Sequence, residues 1–564
     1  MRFKLLIIIL LVCNVAFSQN HGYPQYPNPV KIPVYLSATF AELRNNAFHA
    51  GVDIKTQGVE GHEVFAVADG YVSRIGVSPF GYGKVLYITH NDGFTSVYAH
   101  LSKFNKLIGD FVKDKQYADE SFAQNIMLEK GQFPIRKGDF IGFTGNSGGS
   151  GGPHLHYEIR YTDTQEPVNP LYFGLNVKDT KSPSINGLAL YPLDNSIVEE
   201  SNLPVYLDVA KSGNGFCLEN DEFKVNGSVA FGINVYDQAD GSNNKNGAYT
   251  IELFADNVLI FSIVSDKYSY DETRYINSLI DYSHYIRTKN RFVRTEIDKF
   301  NKLDLYERRN GIVAVNEGDT LNMKYVVKDY NGNKSVLAFD LIGVESSDSD
   351  VDVVSSSCHA VSDGKAATIC LDGFEASIPK GAFYSDVCLE VLQSDTLKGV
   401  CSDVYQLGSD EMPLHKKIRL LIKPKEAFCS DTTLYIAYID IKGEFSFLGN
   451  AVTGDFLEAK TNLLGKYVVV KDTVMPVIKP VNFNCNSSVL KNWSLRLEID
   501  DVESGIKDYA MYIGDEWVLA EYDAKNKLLI YNIDGHVKGG DNDLKVVVTD
   551  MVGNKSVFET VIQR

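Results

Sequence analysis

The chain has 564 residues, which is too long for one hydrophobic core and predicts roughly three to five domains. Its 73 acidic residues outnumber 55 basic residues and give a net charge of −18. This charge argues against nucleic acid or an anionic membrane surface as the main partner. The 32 tyrosines and 30 phenylalanines fall mostly in short alternating runs, which are typical of half-buried strands and predict a mainly β protein.

The N-terminus has the three parts of an export signal. Arg2 and Lys4 supply a basic start, Leu5–Val12 an apolar run, and Ala16–Ser18 a cleavage site with small residues. The apolar run is too short to span a bilayer, and no later run reaches the roughly twenty apolar residues that a span needs. We therefore predict cleavage near Ser18, export to the periplasm or cell envelope, and no transmembrane span.

Eight cysteines occur in the chain, and one of them, Cys13, lies in the signal sequence. None has CxxC spacing, so a zinc ribbon is not supported. Export permits disulfides, and a bond between Cys388 and Cys401 could close a hairpin. The odd number left after cleavage predicts at least one unpaired thiol.

A histidine and an aspartate frame the segment His49-Ala50-Gly51-Val52-Asp53. Imidazole and carboxylate are suitable ligands for a divalent first-row metal, and with one further histidine they leave a coordination position open. Gly51 lets the backbone bend so that both side chains can turn inward. Alone the pattern is weak, since a structural histidine followed by a turn aspartate has the same form.

The next runs, EVFAVADGYVSRIGV and GKVLYITHNDGFTSVYAHLSKF, predict strands joined by Asp-Gly turns. Six of the eleven histidines fall between His49 and His156, which is the clustering that a metal hydrolase needs. Among them, His100 lies near the end of one predicted strand. From their motif context, we predict structural roles for His62 and His90.

A glycine-rich loop turns into a strand in GNSGGSGGPHLHYE, from Gly145 to Glu158. Side chains alternate between the faces of a strand, so His154 and His156 project to the same side, roughly 6.6 Å apart. Two such imidazoles can serve one metal, one as ligand and one as acid or base, while the glycines allow close approach of a substrate backbone. Glu158 shares this face and could orient a ligand imidazole, but we predict a surface carboxylate.

Three elements, HxGxD, Tyr98-Ala99-His100-Leu101 and GxSGxSGGPHLHYE, resemble in order and spacing the lysostaphin/LytM-type peptidoglycan metalloendopeptidases. The resemblance covers about Phe40 to Phe173 and implies an antiparallel β peptidase domain. It also implies one Zn²⁺ per chain and two sets of site residues, the metal ligands His49, Asp53 and His156 and the catalytic histidines His154 and His100. Sequence does not decide which catalytic histidine is the general base.

The resemblance implies metal-assisted hydrolysis of peptide bonds in peptidoglycan stem peptides or cross-bridges. Two other functions stay open. The domain could be a non-catalytic regulator of other wall hydrolases, although such members typically lack metal ligands. The protein could also be an envelope scaffold or adhesion protein that binds a partner through its later β-modules. Phosphotransfer proteins of sugar uptake have a similar β-fold, but they are cytoplasmic, and the export signal argues against that class.

The segment Lys113 to Arg136 interrupts the family pattern. Ser121-x-x-Gln124 resembles a capping box and Gly131 a helix C-cap, so we predict a short helix there. Two roles stay open for this insertion, a wall or lid of the substrate groove and a surface elaboration remote from the metal.

A repeat marks the rest of the chain. Residues 327–336 (VKDYNGNKSV) match residues 548–557 (VTDMVGNKSV), and each copy places a D-x-x-G-N turn between two strands. The segments DTKSP, from Asp179, and DTVMP, from Asp472, mark the starts of two modules. We predict an immunoglobulin-like β-sandwich at each of these places.

The intervening stretch resembles the ZU-type β-domain of ankyrins and netrin receptors, through Ile378–Ala382 (IPKGA) and Leu464–Tyr467 (LGKY). Four histidines outside the first domain have no second ligand nearby and are predicted to be structural or solvated: His284, His359, His415 and His536. The predicted boundaries are 1–18 for the signal peptide, 19–176 for the peptidase domain with its insertion at 113–136, 177–345 for an Ig-like sandwich with a helical insertion between Tyr268 and Tyr306, 346–474 for the ZU-type domain, and 475–564 for a second Ig-like sandwich.

Overall fold

A computed structural model describes residues 22–213, 215–309, 311–345, 358–362, 364–394, 397–428, 431–484 and 493–564. The predicted signal peptide, Cys429 and Cys485 lie outside these residues. Strands dominate the described chain and confirm the mainly β prediction; they form four successive modules, which we number in chain order. Within the described ranges, no helix has the length and apolar character needed to cross a membrane.

The first module contains two antiparallel sheets and the longest helix. Its elements are β1 (Leu36–Ala38), β2 (Val52–Lys55), β3 (Glu63–Phe65), β4 (Gly70–Val77), β5 (Lys84–His90), β6 (Phe94–Leu101), β7 (Lys103–Phe104), α1 (Lys106–Ala118), β8 (Gln124–Met127), β9 (Pro134–Ile135), β10 (Phe140–Phe143), β11 (His154–Tyr161), β12 (Pro167–Val168) and a 3-10 turn (Pro170–Phe173). The large sheet has the order β1-β2-β11-β6-β5-β4-β8, and the small sheet has the order β3-β10-β7. Buried aliphatic side chains of both sheets and α1 form one core.

The helix of the first module lies earlier than predicted. Asn105 caps it, and the Asn105 side chain accepts a hydrogen bond from the Ile108 N–H at 3.0 Å. Ile108 and Val112 point into the core at helical spacing. The prediction of a helix after Ser121 is wrong, because residues 124–127 form the edge strand β8, which pairs with β4, and this pairing outweighs the capping signal.

The second module is built on one large sheet. Its elements are β13 (Ser184–Pro192), β14 (Ile197–Val198), β15 (Val205–Asp208), β16 (Ala210–Ser212), β17 (Gly215–Cys217), β18 (Glu222–Tyr236), β19 (Thr250–Ala255), β20 (Val258–Val264), a 3-10 turn (Tyr270–Tyr275), α2 (Ile276–Leu279), α3 (Tyr282–Thr288), β21 (Val293–Arg294), β22 (Tyr306–Arg309), β23 (Ile312–Val315), β24 (Thr320–Lys328) and β25 (Lys334–Gly343). The sheet has the order β15-β13-β18-β25-β24-β19-β20-β22. The turn, α2 and α3 lie where the sequence predicts a helical insertion.

The core of the second module includes residues from the first. Phe40 and Phe48, which lie between β1 and β2, are buried in it. Both rings contact the ring of Tyr268, and the Tyr268 hydroxyl donates to the Phe48 carbonyl at 3.0 Å. The loop that carries His49 therefore packs against the second module through Phe40 and Phe48.

The third module has two five-stranded sheets. Its elements are β26 (His359–Val361), β27 (Ala367–Leu371), β28 (Phe374–Ile378), β29 (Val387–Leu389), β30 (Val391–Ser394), β31 (Val404–Leu407), β32 (Ile418–Ile422), a 3-10 turn (Glu426–Phe428), β33 (Leu434–Ile439), β34 (Phe445–Gly449), β35 (Ala451–Thr453), β36 (Phe456–Thr461) and β37 (Gly465–Lys471). Pairing of β26 with β29 brings Cys358 and Cys388 into a disulfide. The predicted Cys388–Cys401 bond is therefore wrong, and Cys401 is a buried free thiol.

The fourth module is a pair of four-stranded sheets around one core. Its elements are β38 (Val477–Pro480), β39 (Ser494–Asp500), β40 (Ile506–Ile513), β41 (Glu516–Trp517), β42 (Ala520–Asp523), a 3-10 turn (Ala524–Asn526), β43 (Leu528–Asn532), β44 (Asp541–Asp550) and β45 (Lys555–Gln563). The module contacts the first. Asp534 accepts hydrogen bonds from Lys113 and Tyr117 of α1, at 3.1 and 2.7 Å.

Candidate metal centre

Three side chains on neighbouring strands converge at one end of the large sheet of the first module. The register pairs His156 of β11 with Asp53 of β2, and His49 enters from the loop before β2. The Asp53 Oδ1 atom lies 2.9 Å from His156 Nδ1 and 3.1 Å from His49 Nε2, and the two nitrogens lie 3.0 Å apart. All three residues are buried. The structure thus brings the predicted metal ligands together, with one donor atom of each facing a common point.

The remaining nitrogen of each ligand imidazole has a partner of its own. His49 Nδ1 lies 2.8 Å from the Thr39 carbonyl, so it carries the proton and leaves Nε2 free for a metal. His156 Nε2 lies 2.7 Å from Glu158 Oε1, and Nδ1 is left free in the same way. Such outer partners fix the tautomer and orientation of a metal ligand.

The two predicted catalytic histidines flank this group. The rings of His100 and His154 lie 4.7 Å apart, and His154 Nε2 approaches Asp53 Oδ1 at 3.4 Å. His100 has a left-handed backbone with φ of 58°, at the point where β6 loses its register with β5. This conformation is costly for a residue with a side chain and is typical of functional sites.

The glycine-rich loop holds both flanking imidazoles through backbone carbonyls. His100 Nδ1 lies 2.9 Å from the Ser147 carbonyl, and His154 Nδ1 lies 2.8 Å from the Gly152 carbonyl. Each Nδ1 therefore donates, and each Nε2 keeps a free lone pair. The sequence predicts that the glycines allow close approach of a substrate backbone. In the structure, carbonyl groups of the same loop also fix the tautomers of His100 and His154.

The imidazoles of the group differ in their electrostatics: burial lowers the pKa of His49 and His100, whereas for His156 the Asp53 and Glu158 carboxylates outweigh burial and raise the pKa to about 9. Burial lowers the pKa of His100 to about 3, and the neighbouring His156 and His154 lower it further in the same direction. Burial likewise lowers the pKa of His49. Burial alone would raise the pKa of Asp53, but the adjacent imidazoles of His49, His154 and His156 hold it well below its usual range. His100 is thus an unprotonated base at neutral pH.

Glu158 is fully buried, with 0% of its surface exposed, so the prediction of a surface carboxylate is wrong. It accepts hydrogen bonds from His156, from Arg160 Nε at 2.6 Å and from Tyr82 at 2.5 Å. Burial would raise its pKa, but the Arg160 guanidinium and the His156 hydrogen bond keep the pKa well below its usual range. Tyr270 of the second module also donates to Glu158, at 3.1 Å. Glu158 therefore links His156 to the second module.

Sequence reasoning missed several residues around the centre. Arg160 continues the alternation of His154, His156 and Glu158 along β11, so the sequence places it on the same strand face as these residues. Arg44 lies 3.1 Å from Asp53 Oδ2, on the side away from the imidazoles. Arg44 sits in an irregular loop and Tyr270 in another module, so neither has a local pattern that points to the site.

Histidines predicted to be structural lie outside the centre. His90 Nε2 lies 2.7 Å from the Ser96 hydroxyl, and His62 Nε2 lies 3.2 Å from the Thr56 carbonyl. In the later modules, His284 stacks on Tyr206, and His536 pairs with Asp534. Among the described residues, the one candidate metal group that contains a histidine is His49–Asp53–His156.

The fourth module contacts the glycine-rich loop from outside. Lys525 donates to the carbonyls of Asn146 and Ser150, the latter at 3.0 Å. Lys84, the first residue of β5, forms an ion pair with Glu521 of β42 at 2.7 Å. Tyr117 of α1, which lies within the 113–136 insertion, donates to Asp534 of the same module. The fourth module therefore contacts both the insertion and the glycine-rich loop.

Comparison with known proteins agrees with this geometry. Residues 47–119 match the sequence model of Peptidase family M23, and residues 359–472 match that of the Zu5-like domain. The chain is 35% identical over 127 residues to the DD-carboxypeptidase/endopeptidase Mpg of Neisseria meningitidis, covering 22% of this chain and 23% of that protein. It is 32% identical over 123 residues to the murein hydrolase activator NlpD of Escherichia coli, covering 22% and 25%.

A solved structure is similar to the same region. The catalytic domain of lysostaphin from Staphylococcus simulans is 23% identical, and the match covers 25% of this chain and 93% of that one, with a TM-score of 0.19. The chain spans about a quarter of the length of the curated relatives named above. The predicted resemblance to lysostaphin/LytM-type proteins and to the ZU-type domain is confirmed: the N-terminal region of this chain is a Peptidase family M23 domain, and a Zu5-like domain follows in its C-terminal half.

Proposed function

We propose that the chain is a zinc-dependent endopeptidase that hydrolyses peptide bonds in peptidoglycan. The observation that carries this proposal is the complete set of side chains: three donors face one point, and two further imidazoles beside them keep their Nε2 atoms free. We also propose export to the periplasm or cell envelope, which agrees with a wall substrate.

The donor set suits zinc. Two imidazole nitrogens and one carboxylate oxygen are ligands that Zn²⁺ accepts, and they leave a fourth position free. His49 Nε2, Asp53 Oδ1 and His156 Nδ1 would hold the ion, since the other nitrogen of each histidine is already occupied. A zinc ion bound there would polarise the scissile carbonyl and acidify a water molecule.

The chain's own residues supply the proton transfer. His100 and His154 each have Nδ1 bound to a carbonyl, so each can accept a proton only at Nε2. The low pKa of His100 keeps it unprotonated at neutral pH. His154 is more exposed than the three metal ligands. The carbonyls of the glycine-rich loop then stabilise the imidazolium that forms.

The regulator function is the second candidate, because one relative is a murein hydrolase activator. Regulators of this type typically lack metal ligands, whereas this chain has all three ligands and both flanking histidines. An envelope role for the later modules is compatible with either function.

The test compares the full-length protein with His156→Ala. Both are assayed for zinc and incubated with purified sacculi, and new peptide ends are counted. One zinc per chain and peptide ends released only by the parent would support the endopeptidase. A folded parent that binds zinc and releases nothing would favour the regulator, and a parent without zinc would contradict the metal site itself.

A further inference from the structure

Two groups of three aspartates lie outside the M23 site, one in the second module and one at the start of the fourth. Within each group, one carboxylate oxygen of every member lies within 4.8 Å of the others. The second-module cluster is Asp179, Asp237 and Asp329, and the fourth-module cluster is Asp472, Asp501 and Asp550. We propose that each cluster binds one Ca²⁺ ion and that the two sites are equivalent.

Each cluster contains a buried carboxylate oxygen without a hydrogen-bond partner. Asp472 is 0% exposed; its Oδ1 accepts the Val474 N–H at 3.0 Å, while its Oδ2 accepts no N–H hydrogen bond and the side chain lies against a fourth carboxylate, Glu503. Oδ2 of Asp501 is unpartnered. In the second-module cluster, Asp237 is 4% exposed and its Oδ1 has no partner. A buried anion in this state needs a counter-charge.

Protein cations do not supply that charge. Over the ranges that the structure describes, no lysine or arginine forms an ion pair with any of the six aspartates; neighbouring lysines pair instead with Asp240, at 3.9 Å, and Asp500, at 2.7 Å. Burial, together with the nearby carboxylates Asp179 and Asp329, raises the pKa of Asp237 to about 7. Three carboxylates therefore share a small buried volume against their mutual repulsion.

The same hydrogen bonds build both clusters. The Asn333 side chain donates to Asp329 Oδ2 at 2.6 Å and to the Asp179 carbonyl at 3.2 Å. At the corresponding position, the Asn554 side chain donates to its own D-x-x-G-N aspartate at 2.7 Å and to the Asp472 carbonyl at 3.3 Å. The repeats D-T-x-x-P and D-x-x-G-N thus meet in space twice. An arrangement built twice by the same residues argues for a shared ligand.

The donor atoms select the class of ion. Both clusters offer carboxylate oxygens and contain neither histidine nor cysteine, which favours a hard cation over zinc. A cavity of about 50 Å³ beside the second-module cluster is lined by its three aspartates and by Asn246. Asn246 is 2% exposed, and both atoms of its amide lack partners. Ca²⁺ takes six to eight oxygens in flexible geometry, so the amide and water can complete the shell.

Each bound ion would fix the segment through which the chain enters a module. Asp179 and Asp472 lie on the segments that enter the second and fourth modules. The other two aspartates of each cluster lie at the last residue of a strand of that module or directly after it, β18 and β24 or β39 and β44. A bound ion therefore ties the entering segment to two strand ends. The fourth module is also the one whose Lys525 donates to the Ser150 carbonyl of the glycine-rich loop.

The experiment titrates Ca²⁺ into the full-length protein after passage over a chelating resin and reloading with one equivalent of zinc. Calorimetry should find two Ca²⁺ per chain, one in Asp237→Asn, one in Asp501→Asn and none in the double variant. Asp240→Asn removes a carboxylate next to the second-module cluster and should keep both sites. Tb³⁺ luminescence, sensitised by nearby tyrosines such as the cavity residue Tyr330, should fall in Asp237→Asn and disappear in the double variant.

Thermal unfolding provides a second measurement of Ca²⁺ binding in case a variant is too poorly soluble for calorimetry. Without Ca²⁺, both asparagine variants should unfold at a higher temperature than the parent, because they relieve repulsion; with Ca²⁺, they should lose the rise that the parent shows. No Ca²⁺ binding to the parent at about 5 mM, above the range of extracellular calcium modules, would overturn the proposal, as would variants that keep both ions. Zinc content should be equal in all proteins, so failure here is separate from failure of the peptidase proposal.

Discussion

The His-Asp centre of the first module and the aspartate clusters of the later modules differ in how their polar atoms are satisfied. At the centre, each imidazole nitrogen that faces away from the common point has a partner in Thr39, Glu158 or the glycine-rich loop. In the clusters, buried carboxylate oxygens of Asp237 and Asp501 have none. The centre is preorganised by the protein, whereas the clusters require an added cation to balance their charge.

The largest effect should come from Asp53, whose Oδ1 faces three imidazoles. Asp53→Ala should abolish stoichiometric zinc binding and lower hydrolysis by about a thousandfold or more, since the Lewis acid contributes several kcal/mol to the reaction. Zinc analysis and counting of released muropeptides measure both effects. Asp163→Ala, at an exposed position of the same module, is the matched control and should leave both unchanged.

Loss of a flanking imidazole should separate chemistry from metal binding. His154→Ala and His100→Ala should each keep one zinc per chain, and the variant that removes the general base should lower kcat by roughly 10²–10⁴-fold. Comparison of kcat between the two variants identifies which histidine is the general base. His62→Ala serves as control because His62 bonds to the Thr56 carbonyl outside the centre. A loss of zinc in His154→Ala would show that His154 is a ligand and would contradict the assigned roles.

Glu158→Gln tests the outer partner of the centre. The neutral amide no longer balances the Arg160 charge, and its single acceptor oxygen cannot serve both His156 and Arg160, so zinc affinity or activity should fall by about 10- to 100-fold. Competition with a zinc chelator measures the affinity. Glu166→Gln, at the other end of the strand hairpin, should behave like the parent. An unchanged affinity in Glu158→Gln would mean that Glu158 serves folding alone.

Tyr270→Phe should have the smallest effect. It removes the hydrogen bond from the second module to Glu158 and should lower the free energy of unfolding by about 1.5 kcal/mol, with zinc content unchanged. Chemical denaturation of the full-length protein measures this loss. An equal loss of stability and of zinc would show that the second module holds the metal ligands in place more directly than one hydrogen bond does.

The sequence predicts much of the site because its signals are local. His154, His156, Glu158 and Arg160 alternate on one strand face, and the β fold follows from the same alternation along the chain. The repeats at Asp329 and Asp550 likewise predict paired turns that the structure contains.

The remaining features depend on contacts between distant segments. Edge pairing with β4 makes residues 124–127 a strand despite a capping signal. Pairing of β26 with β29 selects Cys358 over Cys401 as the partner of Cys388. Glu158 is buried because Tyr82 and Tyr270 cover it from other elements. Such contacts have no periodic signature within one strand, so they cannot be predicted from local pattern.

The most direct test of the central claim is metal add-back. Full-length protein is stripped of all metal, then given Zn²⁺, Ca²⁺ or both, and muropeptide release and unfolding temperature are measured on each sample. We predict that Zn²⁺ restores release, and that Ca²⁺ raises the unfolding temperature without restoring release. Release restored by Ca²⁺ alone, or a zinc-loaded and folded protein that releases nothing, would contradict the assignment of catalysis to a zinc ion held by His49, Asp53 and His156.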